Sequence, residues 1–421
     1  MHIGFVTTES PYSLSPGGGI AAYLRAVIPA YLDGGHRVSV FAGAGKQEEF
    51  RAEENRVQVH HFRLPAAHWY ASKVPLLRGI ITLPLRQLEW SAAFYQQVAR
   101  VAGREKFDVL ECTEAGGLFL TSLAPVVIRL HGSEAVFRKY TSQPSDISAT
   151  LNDWLERRAC EKAAALTVPS VFQAREIATR RGWPLERLQV VANPISSEML
   201  QASAHVTRPS EMDEPVVLYV GRLAPVKGIE CLLAAATRVH AVRPKTTFVL
   251  AGPWQMPHAP EKYGLKLNEK SVDGVLWVGP RQPRELVSHY QRATAFVMPS
   301  HFESFCISAL EAMAFRLPVI ATRAGALPEL IEDGVTGEIV APGDASTMAN
   351  AIVRLLDDPQ RREALGQAGR NGVLANFTPE NASTATLKIY ASVAGLQETA
   401  AQGDSERSTA EASATALGAR A

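Results

Sequence analysis

Cysteine is scarce in this 421-residue chain: there are four, Cys112, Cys160, Cys231 and Cys306. They stand too far apart for a zinc pattern or a disulfide framework, which points to a reducing compartment. Net charge is also nearly absent. Lysine and arginine total 43 against 42 aspartates and glutamates, a formal +1, so composition gives no sign of a nucleic-acid partner. No apolar run approaches the roughly 18 residues that a membrane-spanning helix needs. The opening MHIGFVTTES has no basic stretch followed by a long apolar core, which argues against a signal peptide there. Together these absences predict a cytoplasmic protein, at most seated on the inner face of a membrane. The remaining composition, 46% hydrophobic and 20% charged, suits a globular chain of two or three domains.

Short apolar runs alternate with longer helical patterns through both halves. HIGFVTT (2–8), RVSVFAG (37–43), FDVLECT (107–113), VVIRLHG (126–132), ALTVPS (165–170) and LQVVANP (188–194) read as buried strands. The rhythm repeats in PVVLYVGR (215–222), TTFVLAGP (246–253), GVLWVGP (274–280), ATAFVMPS (293–300), LPVIATR (317–323) and TGEIVAP (336–342). Near-continuous Val/Ile/Leu runs separated by helices predict parallel strands covered on both faces. The class is α/β, with two doubly wound, Rossmann-like domains facing a cleft. The polar stretch 196–215 carries two prolines and no periodicity. It sets the boundary expected between domains 1–200 and 201–380; separately, a helix over 381–399 is expected to pack back on the first domain. The Ala/Ser-rich tail 400–421 has almost no large apolar residue and is expected to stay disordered.

Four stretches stand where such sheets bind ligands, at the carboxyl ends of strands. SPGGGIAAYL (15–24) follows the first strand. Its glycines let backbone amides approach a ligand, and the helix start favours negative charge. VGRLAPVKG (220–228) places Arg222 and Lys227 on a glycine-bounded loop, two cations that suit a diphosphate. The alternative is a solvated basic turn. In MPSHFESFCISALEAMA (298–314) Glu303 and Glu311 lie eight positions apart. Read as a helix from Ser304, that spacing advances about 12 Å and leaves the two within about 80° of one face. Carboxylates accept from a sugar or ribose diol, and the amides of Ser304, Phe305 and Cys306 are candidates for sugar or phosphate. Alternatively, Glu303 is simply a favourable charge at a helix start and Glu311 a solvated one. His131 in RLHGSE ends a strand beside a glycine; alone, such a histidine is more often structural.

Taken together, these stretches resemble the retaining glycosyltransferases of family four, which have the GT-B fold. The resemblance runs from Met1 to about Leu396. It rests on the glycine loop, HGSE (131–134), VPS (168–170), GRLAPVKG (221–228), the glutamate pair, LEAMAFRLPVIATRAGALPELI to Ile331, and GVTGEIVAPGD (334–344). It implies transfer of a sugar from a nucleoside-diphosphate sugar, UDP- or GDP-linked, to a glycan, lipid-linked sugar or small molecule, as in polysaccharide biosynthesis. Configuration would be retained, with no metal and no cofactor. Arg222 and Lys227 would bind the diphosphate and stabilise the leaving group. Glu311 would bind the ribose, Glu303 the sugar hydroxyls, and His131 the sugar near the reacting carbon. Gly18 and Gly19 would bring the first loop against the diphosphate, and the base would lie near Gly279 to Arg281.

Some positions depart from the family pattern. Relatives usually have glycine where Cys306 and Arg316 stand; Arg316 is expected in an exposed turn. Gly325–Ala326 replaces a double glycine, and Asn193–Pro194 an Asn-Gly pair. The segment 68–90 is apolar with Lys73, Arg78 and Arg86, and no acid precedes Glu89. It could lie in a bilayer interface, although two prolines interrupt it and packing on the sheet is an equal alternative. The competing functions are a non-catalytic nucleotide-sugar-binding scaffold, another GT-B enzyme such as an epimerase or phosphorylase, and a dehydrogenase. The last is disfavoured because the glycine loop lacks the G-x-G-x-x-G spacing.

Overall fold

The computed structural model describes residues 1–13, 17–44, 56–114, 117–141, 146–204, 206, 214–255, 259–271 and 273–396. The 400–421 stretch lies outside them. All twelve apolar runs form strands, and a thirteenth appears. The first sheet comprises β1 (His2–Thr7), β2 (Arg37–Ala44), β3 (Gln58–Arg63), β4 (Val109–Thr113), β5 (Val126–Arg129), β6 (Ala165–Val168) and β7 (Leu188–Val190). The second comprises β8 (Val216–Val220), β9 (Thr247–Ala251), β10 (Val275–Gly279), β11 (Ala295–Met298), β12 (Val319–Thr322) and β13 (Gly337–Val340). The unforeseen strand is β3, QVHHFR, at the sheet edge. Its two histidines and arginine break the apolar run, because an edge strand needs less cover. His60 still finds a surface, stacking on Phe41 at 4.8 Å.

Both sheets are parallel, with orders β3-β2-β1-β4-β5-β6-β7 and β10-β9-β8-β11-β12-β13. Each order reverses once, between β1 and β4 and between β8 and β11, which opens a crevice at the strands' carboxyl ends. The glycine loop follows β1, and the two other charged loops follow β8 and β11. Topology alone therefore brings these three loops to the two switch points, with His131 one strand away after β5 and Arg281 at the sheet edge after β10.

The core of the second domain already includes Ile195 and Met199. That body thus begins a few residues before the boundary expected from composition, because the helix Ser197–Ser203 packs on it rather than serving as linker. The last described helix, Pro379–Val393, returns to the first domain against the helix Gly19–Asp33. Ala382, Ile389 and Tyr390 join Tyr23, Val27 and Tyr31 in one core. The Tyr390 hydroxyl donates to the buried Glu111 at 2.6 Å.

Proline interrupts 68–90 less than expected. Pro75 opens the helix Pro75–Ala102, and Pro84 lies inside it. A proline at this position disrupts the local amide ladder. Here the neighbouring Leu83 amide donates to Ser148 Oγ at 2.9 Å, on the helix Ile147–Lys162 packed alongside. No described helix is long and apolar enough to cross a membrane.

Candidate functional site

The loops after β8 and β11 meet. Lys227 ends a tight turn, Pro225–Lys227, and Gly228 follows at φ +67°. A Cβ on Gly228 would stand 1.9 Å from the Pro299 carbonyl oxygen, so only glycine lets the loops approach this closely. The His301 amide donates to the Val226 carbonyl at 2.9 Å. The result is an ion pair, Lys227 Nζ to Glu303 Oε1 at 2.7 Å, between side chains 18% and 8% exposed. Ser300, fully buried, donates to the same oxygen at 2.7 Å. The sequence reading missed Ser300; its only signal is a position three residues before Glu303 at a strand end.

Glu303 is also held through its backbone. Its carbonyl accepts from Ala326 N at 2.9 Å. Gly325 (φ +58°) passes so close that a Cβ there would lie 1.9 Å from that carbonyl oxygen. Of the expected double glycine, the one sterically required is therefore present, and Ala326 fits at φ −81°.

The helix carrying Glu311 begins at Ile307, not at Ser304. Cys306 interrupts it at φ +137°, ψ 80°, a backbone region that disfavours side chains by about 1–3 kcal/mol. The two glutamates do not share one helix, so the 12 Å spacing does not apply. Glu311 sits within the helix and accepts from the Tyr290 hydroxyl at 2.7 Å. Burial raises its carboxyl to about 7, against the opposing pull of Tyr290 and of Arg25 from the first domain. Arg25 was also missed. It lies seven residues beyond Gly18, two turns along the helix from the glycine loop.

The other second-domain candidates divide. Arg222 is exposed and donates to Gln255 Oε1 at 3.2 Å. Arg281 reaches Asn268 Oδ1 at 3.4 Å. The Phe305 ring is buried near Phe377, at 6.1 Å, leaving only its backbone for a ligand. The Ser304 carbonyl accepts from Ser170 Oγ of the first domain at 2.8 Å. Burial raises the Cys306 thiol to about 12, with Glu303 adding to the rise. Arg316 is half-buried rather than exposed, and its Nε is enclosed without a partner. Its φ of +55° fits the turn where relatives carry glycine.

In the first domain Gly18 caps the helix that Gly19 starts. Glu9 folds over this end and accepts from Ala21 N at 3.1 Å. A Cβ on Gly18 would stand 2.7 Å from Glu9 Oε1, so glycine makes room for a carboxylate that the sequence reading overlooked. His131 follows β5, its ring edge-on to Tyr23 at 5.2 Å. Arg129, fully buried, lies over that tyrosine at 4.1 Å. It donates to the Val191 carbonyl and to Asn193 Oδ1, each at 2.7 Å, which gives Asn193 a structural task. Burial, then Arg129, holds His131 well below its ordinary range, so the imidazole is neutral at neutral pH. Glu114, after β4, accepts from Gly132 N at 3.2 Å, and burial raises its carboxyl to about 7.

Two family models match the chain. Residues 18–194 match a glycosyl transferase 4-like domain and residues 203–372 match the glycosyl transferases group 1. An alpha-D-kanosaminyltransferase of Streptomyces kanamyceticus is 30% identical over 63% of this chain and 70% of its own length. Sucrose-phosphate synthase from Thermosynechococcus elongatus superposes with a TM-score of 0.73 at 24% identity, over 93% of this chain and 99% of that one. HepE from Anabaena, solved with UDP-glucose, superposes at 0.65 with 18% identity, over 93% of this chain and 100% of that one. These likenesses show the two-domain α/β fold of the GT-B type.

Proposed function

Because the chain belongs to the group-one glycosyltransferases, GT-B enzymes that use nucleotide sugars, we propose that it is a retaining, metal-independent hexosyltransferase acting on a hydroxyl of a glycan, lipid-linked sugar or small molecule. The observation that carries this reading is the contact of Lys227 with Glu303 at the second switch point. A cation for a diphosphate and a carboxylate for sugar hydroxyls stand one hydrogen bond apart, as the two sides of a sugar–phosphate bond require.

In this reading the anomeric carbon–oxygen bond to the diphosphate breaks while the acceptor oxygen bonds to that carbon on the same face. The acceptor's proton passes to the departing phosphate oxygen. Lys227 and Arg222 stabilise the growing charge, Glu303 holds the sugar, and neutral His131 hydrogen-bonds near the reacting carbon without adding charge. Gly18 and Gly19 border the diphosphate, and Glu311 receives the ribose. Arg281 flanks the base, and the amides of Ser304, Phe305 and Cys306 line the sugar side. UDP is placed first and GDP second, since HepE is solved with UDP-glucose.

The first test is thermal stabilisation by UDP, GDP, ADP and their sugars, with and without EDTA. A shift selective for one base and insensitive to EDTA supports the reading; no shift with any nucleotide overturns it. NMR of the transferred sugar then decides retention.

We place the enzyme in the cytoplasm, touching a membrane through 68–90. Trp69, Tyr70 and Val74 are exposed there, and Lys73 lies over the Trp69 ring at 4.7 Å, a combination suited to an anionic interface. Flotation with phosphatidylglycerol vesicles tests this, and a chain left at the bottom of the gradient refutes it.

A further inference from the structure

We propose that the first domain positions Glu303, acting through its two chain neighbours, so that contact between the domains sets the geometry of the sugar-holding carboxylate. The proposal rests on the role given to Glu303 above. Phe302, though it belongs to the second domain's β11 loop, is buried in the first domain's core. Its ring stacks on Tyr140 at 4.6 Å and 20°, with Phe137 at 6.4 Å and Phe172 at 6.0 Å. Tyr140 and Phe137 stand on the helix Glu134–Thr141, which starts three residues after His131. The aromatic cluster thus ties the histidine loop to the glutamate loop.

On the other side of Glu303, the Ser304 carbonyl accepts from Ser170 Oγ at 2.8 Å. Ser170 also caps the helix Val171–Arg181, accepting from Gln173 N at 3.2 Å. The first amides of that helix, Val171 N and Phe172 N, donate to Glu329 at 2.8 and 2.5 Å. A carboxylate at a helix start is favoured by the partial positive charge there. Glu329 lies three residues past Ala326, whose amide holds the Glu303 carbonyl. Residues 302, 303 and 304 are thus fixed in succession by a ring, an amide and a hydroxyl. Two of those three groups come from the first domain, and the third is on a segment clasped to it. Parting the domains would release this stretch and withdraw Arg25 from Glu311, while the helix that carries Glu311 keeps its Tyr290 anchor within its own domain.

Tyr140 and Ser170 are accordingly positioning residues. The test compares Tyr140→Ala, Tyr140→Phe and Ser170→Ala with the wild type. For each, calorimetry gives the affinity for the nucleoside diphosphate that stabilises the wild type and for the corresponding glucose nucleotide. The ratio of the two affinities reports the grip on the sugar. Loss of one well-placed hydrogen bond to a charged group changes that ratio about tenfold. The expected result is a shift of that size for Tyr140→Ala and Ser170→Ala, with nucleoside diphosphate affinity within twofold of wild type and the ratio kept in Tyr140→Phe. Melting temperatures identify any variant that fails to fold, and Ser170→Ala, which removes one hydroxyl, is the milder probe. An unchanged ratio in folded Tyr140→Ala and Ser170→Ala overturns the coupling alone. A wild type that binds no nucleotide overturns the function proposed above, and the coupling with it.

Discussion

The surroundings of Glu303 and of Glu311 differ more than their eight-residue separation suggests. Glu303 lies in a loop, paired with Lys227 and Ser300, its neighbours held from the opposite domain. Glu311 lies in a helix, satisfied by Tyr290 from its own domain and carrying a raised pKa. A nearby ammonium favours the charged form of a carboxylate, whereas burial against a neutral hydroxyl favours the protonated form. Glu303 is suited to a task that needs fixed geometry. Glu311 can change its charge near neutral pH. The same residue type in one motif thus meets two environments, separated by the strained turn at Cys306.

The largest expected effect comes from breaking the Glu303 pair. Lys227→Ala should lower turnover roughly 10²–10³-fold, as loss of a transition-state cation does. It also strands a buried carboxylate, which should cost on the order of 3 kcal/mol of stability. Adding Glu303→Gln should restore much of the melting temperature but none of the turnover. Near-normal turnover in the folded single variant would remove Lys227 from the mechanism.

Glu311 should make both stability and nucleotide binding depend on pH. Its folded pKa is raised from 4.5 to about 7, so the folded chain binds more protons than the unfolded one between those values. Its contribution to stability is full below about 4.5 and falls as pH rises through about 7. Nucleoside diphosphate affinity should rise over the same upper range, because the ionised carboxylate accepts better from ribose hydroxyls. Denaturation and calorimetry between pH 5.5 and 8.5 would show both trends, and Glu311→Gln should flatten them. Parallel pH curves for wild type and variant would count against the assignment.

The smallest effects concern the turn between the two glutamates and its counterpart after the helix. Cys306→Gly should relieve strain of about 1–3 kcal/mol and lose about 0.5–1 kcal/mol to the freedom of an unfolded glycine, a net gain near 1 kcal/mol. Arg316→Gly should change stability less, since φ +55° is a milder departure for a side chain. Melting temperatures of the two variants rank them, and a fall for Cys306→Gly would show that the thiol's packing outweighs the backbone strain.

Much of this arrangement was legible beforehand, and the exceptions share causes. Val/Ile/Leu runs mark buried parallel strands because both faces need apolar cover; β3 escaped because an edge strand does not. Lys227 was legible as a candidate because a glycine-bounded loop after a strand brings charge to the carboxyl rim, and Glu303 because an acid stands among apolar and small residues just past a strand. Tyr290 and Arg25 were not, since each matters through a partner distant in the chain; Ser300 and Glu9 were not, since only the folded loops turn their side chains onto Glu303 and the helix start. The helix from Ser304 was read too early because no local signal marks a positive φ at a cysteine.

By itself, then, the order of residues determined the two doubly wound sheets, the loops at their switch points and the charges those loops carry. These follow from hydrophobic period and backbone sterics, which act over a few residues at a time. Tertiary structure alone decided which cation meets which carboxylate, that Glu311 titrates near neutrality and His131 stays neutral, and that a ring from one domain lies in the core of the other. Those outcomes depend on burial and on distances between groups far apart in the chain, and both exist only once the chain has folded.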